Sequence, residues 1–285
     1  MTVAFALSGG GNLGPMQSGT ILALMEAGIT PDLLVGTSVG ALNGAFLASR
    51  PGVDGARGLM EAWSALRRPE AVRLSLVTAI EGFLGFRNHL VSDQQLRRLI
   101  RKWVEIERIE QATVPLAVTA TDALTGECVV LTAGDVVDAL AASAAIPGLY
   151  PPVSIGGRWL VDGSLSANQP VLQAQALGAE EIYVITTTTA SRHHPPRGAI
   201  ALARGSVSLV TSRLARDDVR EAERRARRSG GRVWVVPTSE PAAPKPFDFR
   251  RSASLAEASY ERTMAWLAEG EPAEVSTNGV AAVEP

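Results

Sequence analysis

The first fifty residues alternate between short apolar runs and helical patterns. An apolar run at residues 3–7 ends in a glycine cluster, and apolar positions spaced three to four apart follow until Gly28. A second apolar run at residues 33–35 leads through a tight turn at 36–40 into a small-residue helix at 41–48. Two consecutive strand-turn-helix units predict a parallel sheet with right-handed crossovers, helices on its faces and ligand chemistry at the carboxyl ends of its strands.

The alternation continues along the chain and predicts an α/β fold. Further strands are predicted at residues 115–121, 127–131, 158–161, 182–188 and 232–236, and further helices at 135–145, 171–177, 204–228 and 254–267. The capping-box spacing of Ser254 and Glu257 predicts the start of the last helix. We expect residues 1–270 to form one domain, and we expect residues 271–285, which lack a periodic apolar face, to be a disordered tail.

Composition and charge exclude several classes of protein. The 285 residues include 27 lysines and arginines and 29 acids, a net charge of −2, so no nucleic-acid partner is expected. Cys128 is the one cysteine, which rules out disulfides and a cysteine-built zinc site, and we expect a cytoplasmic protein with no metal and no cofactor. No signal peptide and no transmembrane segment are expected, while peripheral membrane contact and oligomeric state stay open.

The first candidate for chemistry is the glycine loop, Gly9-Gly10-Gly11-Asn12-Leu13-Gly14. Its spacing matches a dinucleotide-binding loop, but the second strand carries no acid at its carboxyl end to hold a ribose. Pro15 and Met16 follow where a P-loop needs lysine and serine or threonine. Successive glycines can turn their N–H groups outward, and the following helix adds positive potential, so the loop is suited to hold a transient oxyanion.

The second candidate is the elbow, Gly36-Thr37-Ser38-Val39-Gly40, a G-x-S-x-G pattern between a strand and a helix. This context predicts a nucleophile elbow, with Ser38 as the nucleophile. Gly36 and Gly40 are needed because side chains there would collide with the neighbouring strand and helix. The alternative is a coincidental turn serine in a glycine-rich chain, which the flanking strand and helix make the weaker interpretation.

A serine nucleophile needs a base, and no histidine stands at a predicted strand end. Asp162 does, on a turn with Gly163 that follows the strand at 158–161. Taken alone, an Asp-Gly pair is more often a plain surface turn. Paired with Ser38 at the same edge of the sheet, Asp162 is the better candidate: a carboxylate in hydrogen-bond reach can take the serine proton and later activate water.

Several motifs occur in a fixed order along residues 3–188. The glycine loop, the elbow and the Asp162 turn are accompanied by Ala-Ser-Ala-Ala-Ile-Pro at 142–147, Tyr-Pro-Pro at 150–152 and Asn-Gln-Pro at 168–170. Together they resemble the patatin-like phospholipases. The resemblance implies a three-layer, doubly wound, mostly parallel sheet, a Ser38–Asp162 dyad, and an oxyanion hole from the backbone of Gly9, Gly10 and Gly11. It also implies hydrolysis of fatty acyl esters of lipids through an acyl-enzyme, without a metal.

Two departures and several alternatives accompany the resemblance. Leu13 stands where many relatives carry arginine, and Ser164 where glycine or alanine is usual. One alternative is an α/β-hydrolase in which His193 or His194 completes a triad with the serine and the aspartate. Another is a non-catalytic lipid- or partner-binding module on the same fold. The apolar stretch at residues 71–86 fits a core helix best, with a lid or a membrane contact as alternatives.

Overall fold

The computed structural model describes residues 1–66, 91–187, 198–239, 241 and 248–269, and its elements are numbered here in chain order. The strands are β1 Val3–Leu7, β2 Leu33–Thr37, β3 Leu116–Asp122, β4 Cys128–Leu131, β5 Val153–Ile155, β6 Arg158–Asp162, β7 Glu181–Ile185 and β8 Arg232–Val236. The helices are α1 Gly14–Glu26, α2 Val39–Ser49, α3 Val53–Ala65, α4 Gln94–Trp103, α5 Val136–Ser143, α6 Ser164–Ala167, α7 Val171–Ala176, α8 Ala199–Ser229 and α9 Ser252–Ala268. The predictions for residues 71–86 and 271–285 lie outside the described residues.

All eight of these strands belong to one sheet, in the order β5-β6-β3-β2-β1-β7-β8, with β4 paired to β3. β1 is parallel to β2 and β7, β2 to β3, and β7 to β8, while β4, β5 and β6 run antiparallel to their neighbours. The chain moves outward from β1 to β3 and then returns to the other side of β1 for β7 and β8. The sheet is therefore mostly parallel and doubly wound, as expected.

Alternating side chains of the central strands enter two separate cores. In β1, Phe5 and Leu7 join a large core on one face, whereas Ala4 and Ala6 join a smaller core on the other. The large core includes buried residues of α1 to α5, and the smaller one is completed by α7 and α8. Helices thus cover both faces, which confirms the three-layer architecture. The small alanines of β1 allow α7 to approach the sheet closely.

The structure differs from the sequence prediction at several element boundaries. The strand predicted at 182–188 ends at Ile185. The last helix begins at Ser252, where the Ser252 hydroxyl already donates to the Phe249 carbonyl at 2.8 Å, so the capping box predicted at Ser254 is wrong. Ser254 lies inside the first turn and donates to the Arg251 carbonyl instead. Helices α3, α4 and α6 and strand β5 were not predicted from the sequence.

The helices of the described segments are up to 31 residues long. None of them combines the length and the apolar character that crossing a bilayer requires.

Candidate active site

The register of the sheet brings Ser38 and Asp162 together. Thr37, the last residue of β2, pairs with Thr119 of β3, and Asp162, the last residue of β6, pairs with Ala120. Both candidate residues therefore lie beside the same short stretch of β3. The Ser38 hydroxyl donates a hydrogen bond to Asp162 Oδ2 at 3.0 Å. A serine and a carboxylate separated by 124 positions in the chain thus meet in direct contact.

The backbone of the elbow is strained at Ser38. Its φ of 53° and ψ of −118° make it the one non-glycine residue with positive φ among the residues described. Such a conformation costs about 1–3 kcal/mol and persists where the surrounding structure enforces it. A Cβ on Gly36 would lie 2.5 Å from Ala41 Cα, and one on Gly40 would lie 2.6 Å from the Ser8 carbonyl oxygen. These close approaches explain why glycine stands on both sides of Ser38.

The C-terminal end of helix α5 and the turn that follows it hold both candidate residues by hydrogen bonds. The Ser38 N–H donates to Ser143 Oγ at 2.7 Å. The Ser143 carbonyl accepts the Gly163 N–H at 3.2 Å, and the Ala145 carbonyl accepts the Asp162 N–H at 3.0 Å. Ser143 is fully buried. The turn therefore fixes the separation between the serine and the aspartate.

Burial sets the basicity of the Asp162 carboxylate. Only 5% of the residue is exposed, and desolvation raises the pKa of the carboxyl above its usual value because it disfavours the charged form. Hydrogen bonds from Ser164, whose N–H donates to Asp162 Oδ1 at 2.8 Å, and from Ser38 oppose this shift. The net increase makes Asp162 a stronger base than an exposed aspartate while it remains oriented toward Ser38.

Threonine hydroxyls connect the strand ends beneath the site. Thr37 Oγ1 lies 2.6 Å from Thr119 Oγ1 and donates to the Ala167 carbonyl at 2.7 Å. Thr121 donates to the Asp162 carbonyl at 2.8 Å. A Cβ on Gly163 would lie 2.5 Å from the Thr119 carbonyl oxygen, so this turn residue has no room for a side chain. The strand ends are therefore cross-connected by side chains as well as by the sheet.

The glycine loop lies at the carboxyl end of β1, against the elbow, and its N–H groups differ in availability. The Gly9 N–H donates to the Asn168 carbonyl at 3.0 Å. Within the described chain, the N–H groups of Gly10 and Gly11 have no acceptor. The Gly9 carbonyl accepts from Thr187 Oγ1 at 2.5 Å and from Ser8 Oγ at 3.1 Å. Because the peptide is planar and trans, these two bonds also fix the direction of the Gly10 N–H.

A buried polar network connects the glycine loop to the elbow helix. Gln17 of α1 donates to the Ser8 carbonyl at 2.8 Å and to the Ile185 carbonyl at 3.2 Å. Asn43 of α2 donates to Gln17 Oε1 at 2.9 Å and accepts from Trp63 Nε1 at 2.8 Å. Gln17 and Asn43 are fully buried. Neither residue was predicted from the sequence, although a polar residue inside an otherwise apolar helical stretch is a signal of such a network.

The two departures from the family pattern have different structural settings. Leu13 is buried in a small cluster with Met16 and Leu255. Ser164 lies directly at the site, because its N–H binds the Asp162 carboxylate and its hydroxyl lies against Gly9. Backbone and side-chain hydrogen bonds from Ser164 both lower the pKa of the Asp162 carboxyl, whereas Leu13 packs beneath helix α9.

The described residues contain no cluster of three or more His, Cys, Asp or Glu side chains that could hold a metal ion. His89, His193 and His194 lie outside the described residues. Among the residues that the structure describes, the polar groups around Ser38 are a carboxylate, hydroxyls and backbone N–H groups.

The sequence matches a family model described as Patatin-like phospholipase over residues 5–174. The matched region includes the glycine loop, the elbow and the Asp162 turn, in the order described above. The chain belongs to the patatin-like phospholipase family.

Curated relatives share this region with longer proteins. The chain is 26% identical to Lysophospholipase NTE1 of Phaeosphaeria nodorum, over 94% of this chain and 18% of that protein. It is 30% identical to an uncharacterized NTE family protein of Mycobacterium tuberculosis, over 69% of this chain and 52% of that protein. It is 27% identical to Patatin-like phospholipase domain-containing protein 6 of Homo sapiens, over 65% of this chain and 13% of that protein. The chain therefore spans about half or less of the length of these relatives.

Solved structures with a similar course of the chain include two bacterial proteins. VipD from Legionella pneumophila has a TM-score of 0.48 at 15% identity, over 94% of this chain and 67% of that chain. ExoU from Pseudomonas aeruginosa, in complex with SpcU, has a TM-score of 0.46 at 16% identity, over 94% of this chain and 52% of that chain. The mostly parallel, doubly wound architecture follows from the strand order and register of this chain itself.

Proposed function

We propose that this chain is a serine acyl hydrolase that cleaves fatty acyl carboxylic esters of lipids, of the phospholipase A, lysophospholipase or esterase type. The observation that carries the proposal is the 3.0 Å hydrogen bond from Ser38 Oγ to Asp162, with Ser38 held in a strained elbow. Membership of the patatin-like phospholipase family, with lysophospholipases among the relatives, supports lipid ester hydrolysis.

In the first half of the proposed reaction, Asp162 accepts the hydroxyl proton of Ser38. Ser38 Oγ then attacks the carbonyl carbon of the ester and forms a tetrahedral oxyanion. The N–H groups of Gly10 and Gly11 are the donors proposed for this oxyanion. The N–H of Gly9 already has an acceptor, so we assign Gly9 the role of anchoring the loop to Asn168.

In the second half, the proton moves from Asp162 to the departing alkoxide, which leaves as an alcohol and an acyl-Ser38 ester remains. Asp162 next takes a proton from water, and the resulting hydroxide attacks the acyl carbonyl. Collapse of this second oxyanion breaks the bond to Ser38 Oγ, which regains the proton from Asp162. The raised pKa of Asp162 suits a group that alternates between base and acid.

Hydrolysis of p-nitrophenyl butyrate by purified wild type, Ser38→Ala and Asp162→Asn tests the proposal, with circular dichroism to establish that each variant is folded. The proposal predicts turnover by the wild type and background rates for both variants. A triple variant with His89, His193 and His194 replaced by Asn is expected to retain activity. If the folded triple variant is inactive, the Ser-Asp-His triad replaces the dyad. If the wild type turns over no ester but binds phospholipid, and Ser38→Ala binds it equally well, the chain is a binding module.

A further inference from the structure

Helix α8 is much longer than the strands beside it. Its 31 residues extend about 46 Å, whereas the five-residue strands β7 and β8 extend about 17 Å. The buried side chains described on α8 are confined to its second half and are Ala215, Val219, Ala222 and Ala226. Because α8 ends just before β8 begins, this second half spans the sheet. The first half therefore projects beyond the carboxyl edge, the edge at which Ser38 and the glycine loop lie.

The projecting half of α8 carries an exposed apolar face. Its five large apolar side chains are between 46% and 73% exposed and are Leu202, Val207, Leu209, Val210 and Leu214. At 100° per residue these positions fall within an arc of about 160°, opposite the arc that contains Ala215 and Val219. One side of α8 thus packs on the protein while the other presents apolar groups to its surroundings. Soluble proteins rarely leave such a contiguous apolar surface uncovered.

In the sequence, the charged residues of the projecting half of α8 are all arginines, and the acids Asp217 and Asp218 follow only in the second half. Between Glu181 and Asp217 the sequence contains no acidic residue and five arginines, at positions 192, 197, 204, 213 and 216. Of these, Arg213 and Arg216 have exposed, described side chains. The Arg213 side chain is 81% exposed, and its Nε lies 4.0 Å from Asp217 Oδ2. An exposed ion pair at this distance is weak, so Asp217 neutralises little of the arginine's charge. An apolar face with two exposed arginines beside it, and with acids only from Asp217 onward, complements an anionic lipid surface.

We infer that the docking face, formed by Leu202, Val207, Leu209, Val210, Leu214, Arg213 and Arg216, binds the surface of an anionic phospholipid membrane and brings the Ser38 site to it. The inference rests on the proposed function, because a lipid ester hydrolase must reach substrates that reside in membranes. A second copy of the chain is the less suitable occupant, since a symmetric contact through this face would bring two arginine-rich segments together.

Vesicle binding tests the inference without relying on hydrolysis. Cosedimentation is measured with vesicles of phosphatidylcholine alone and of phosphatidylcholine mixed with phosphatidylglycerol. Wild type and Ser38→Ala are expected to bind the anionic vesicles equally, and more tightly than the neutral ones, with binding that weakens as salt increases. The double variant Leu209→Ser/Val210→Ser is expected to bind about tenfold more weakly. Arg213→Gln/Arg216→Gln is expected to lose the preference for anionic vesicles.

Matched controls come from the opposite edge of the sheet. Leu177→Ser removes another exposed apolar side chain, and Arg228→Gln removes an arginine from the far end of the same helix; both are expected to bind vesicles like the wild type. Wild-type protein that binds neither vesicle, or a Leu209→Ser/Val210→Ser variant that binds like the wild type, overturns the inference. The inference is also overturned if light scattering shows that the wild type is a dimer, that the Leu209→Ser/Val210→Ser variant is a monomer, and that vesicle binding is absent. Failure of ester hydrolysis with intact vesicle binding refutes the proposed function alone.

Discussion

Ser143 offers the sharpest test of how the strained elbow is maintained. Replacing Ser143 with alanine removes the acceptor of the Ser38 N–H, which lies 2.7 Å from Ser143 Oγ in a buried position. Leaving a buried N–H without an acceptor costs about 1–3 kcal/mol. In a domain of this size that predicts a melting temperature lower by about 2–12 °C. The hydrogen bond that is lost also stabilises the positive φ of Ser38. Its removal therefore lowers the population of molecules in which the elbow has its reactive conformation.

The predicted effect on activity follows from that population. If the elbow loses about 1–3 kcal/mol of its support, kcat for p-nitrophenyl butyrate falls between about fivefold and about 150-fold. The change is expected in kcat more than in KM, because the hydrogen bond acts on the geometry of the nucleophile. Initial-rate kinetics and thermal unfolding of the same preparations measure both quantities.

Ser259 provides the matched control for Ser143. It is also fully buried, and its hydroxyl also accepts a backbone N–H, that of Ser239 at 3.2 Å, but it lies on α9 away from Ser38. Ser259→Ala is expected to lower the melting temperature without lowering kcat. If Ser143→Ala and Ser259→Ala destabilise the protein alike and Ser143→Ala keeps its kcat within about twofold of wild type, the positioning role of Ser143 is refuted.

Three further predictions follow from the site. Asp162→Asn is expected to abolish activity and to raise the melting temperature at neutral pH. The folded state raises the pKa of this carboxyl above 3.8, so the stability of the wild type falls as the pH rises through the raised pKa. The unfolding curves of the two proteins should therefore converge as the pH is lowered toward 3.8. A wild type that is more stable than Asp162→Asn at neutral pH contradicts this prediction. Thr187→Val removes the 2.5 Å hydrogen bond to the Gly9 carbonyl and is expected to lower kcat about tenfold, whereas Thr187→Ser keeps the hydroxyl and should recover the wild-type kcat. Equal kcat values for the wild type and both variants argue against a role of this bond in orienting the Gly10 N–H. Gly40→Ala is expected to destabilise the fold by about 1–3 kcal/mol, whereas Gly58→Ala, whose Cβ would lie 3.8 Å from Phe46, should be tolerated; denaturant unfolding distinguishes them.

Much of the fold was predictable because its central strands have simple patterns. Strands β1 and β2 are short apolar runs that end in glycine turns, and the helices after them are marked by spacing and by breakers. Helix α4 was missed because most of its residues are polar or charged, although Leu99, Ile100 and Trp103 form a buried stripe. On helix α8, Glu221 and Arg225 stand four residues apart, a spacing that brings opposite charges together, and they form an ion pair at 2.7 Å.

The contact between Ser38 and Asp162 was expected, but for an incomplete reason. The sequence argument placed both residues at one edge of a parallel sheet. In the structure β6 runs antiparallel to β3, so Asp162 reaches Ser38 through the pairing of β6 with Ala120. Strand direction and register depend on distant pairings that no local pattern reveals.

The supporting hydrogen bonds of the site could not be predicted from local sequence. The contact of Ser143 with Ser38 joins positions 105 apart, and that of Thr187 with Gly9 joins positions 178 apart. Hydroxyl and amide side chains form such bonds wherever the fold places a partner, so their roles become visible only with the tertiary structure.

The proposed reaction depends on acylation of Ser38 with the help of Asp162 and without a histidine. The most direct measurement is acid quenching of the wild type during turnover of a p-nitrophenyl ester, followed by proteolysis and peptide mass mapping. The account predicts an acyl group on the peptide that contains Ser38, its absence in Ser38→Ala, and its persistence in the variant lacking all three histidines. An acyl group on another residue, or turnover by Ser38→Ala at the wild-type rate, contradicts the account.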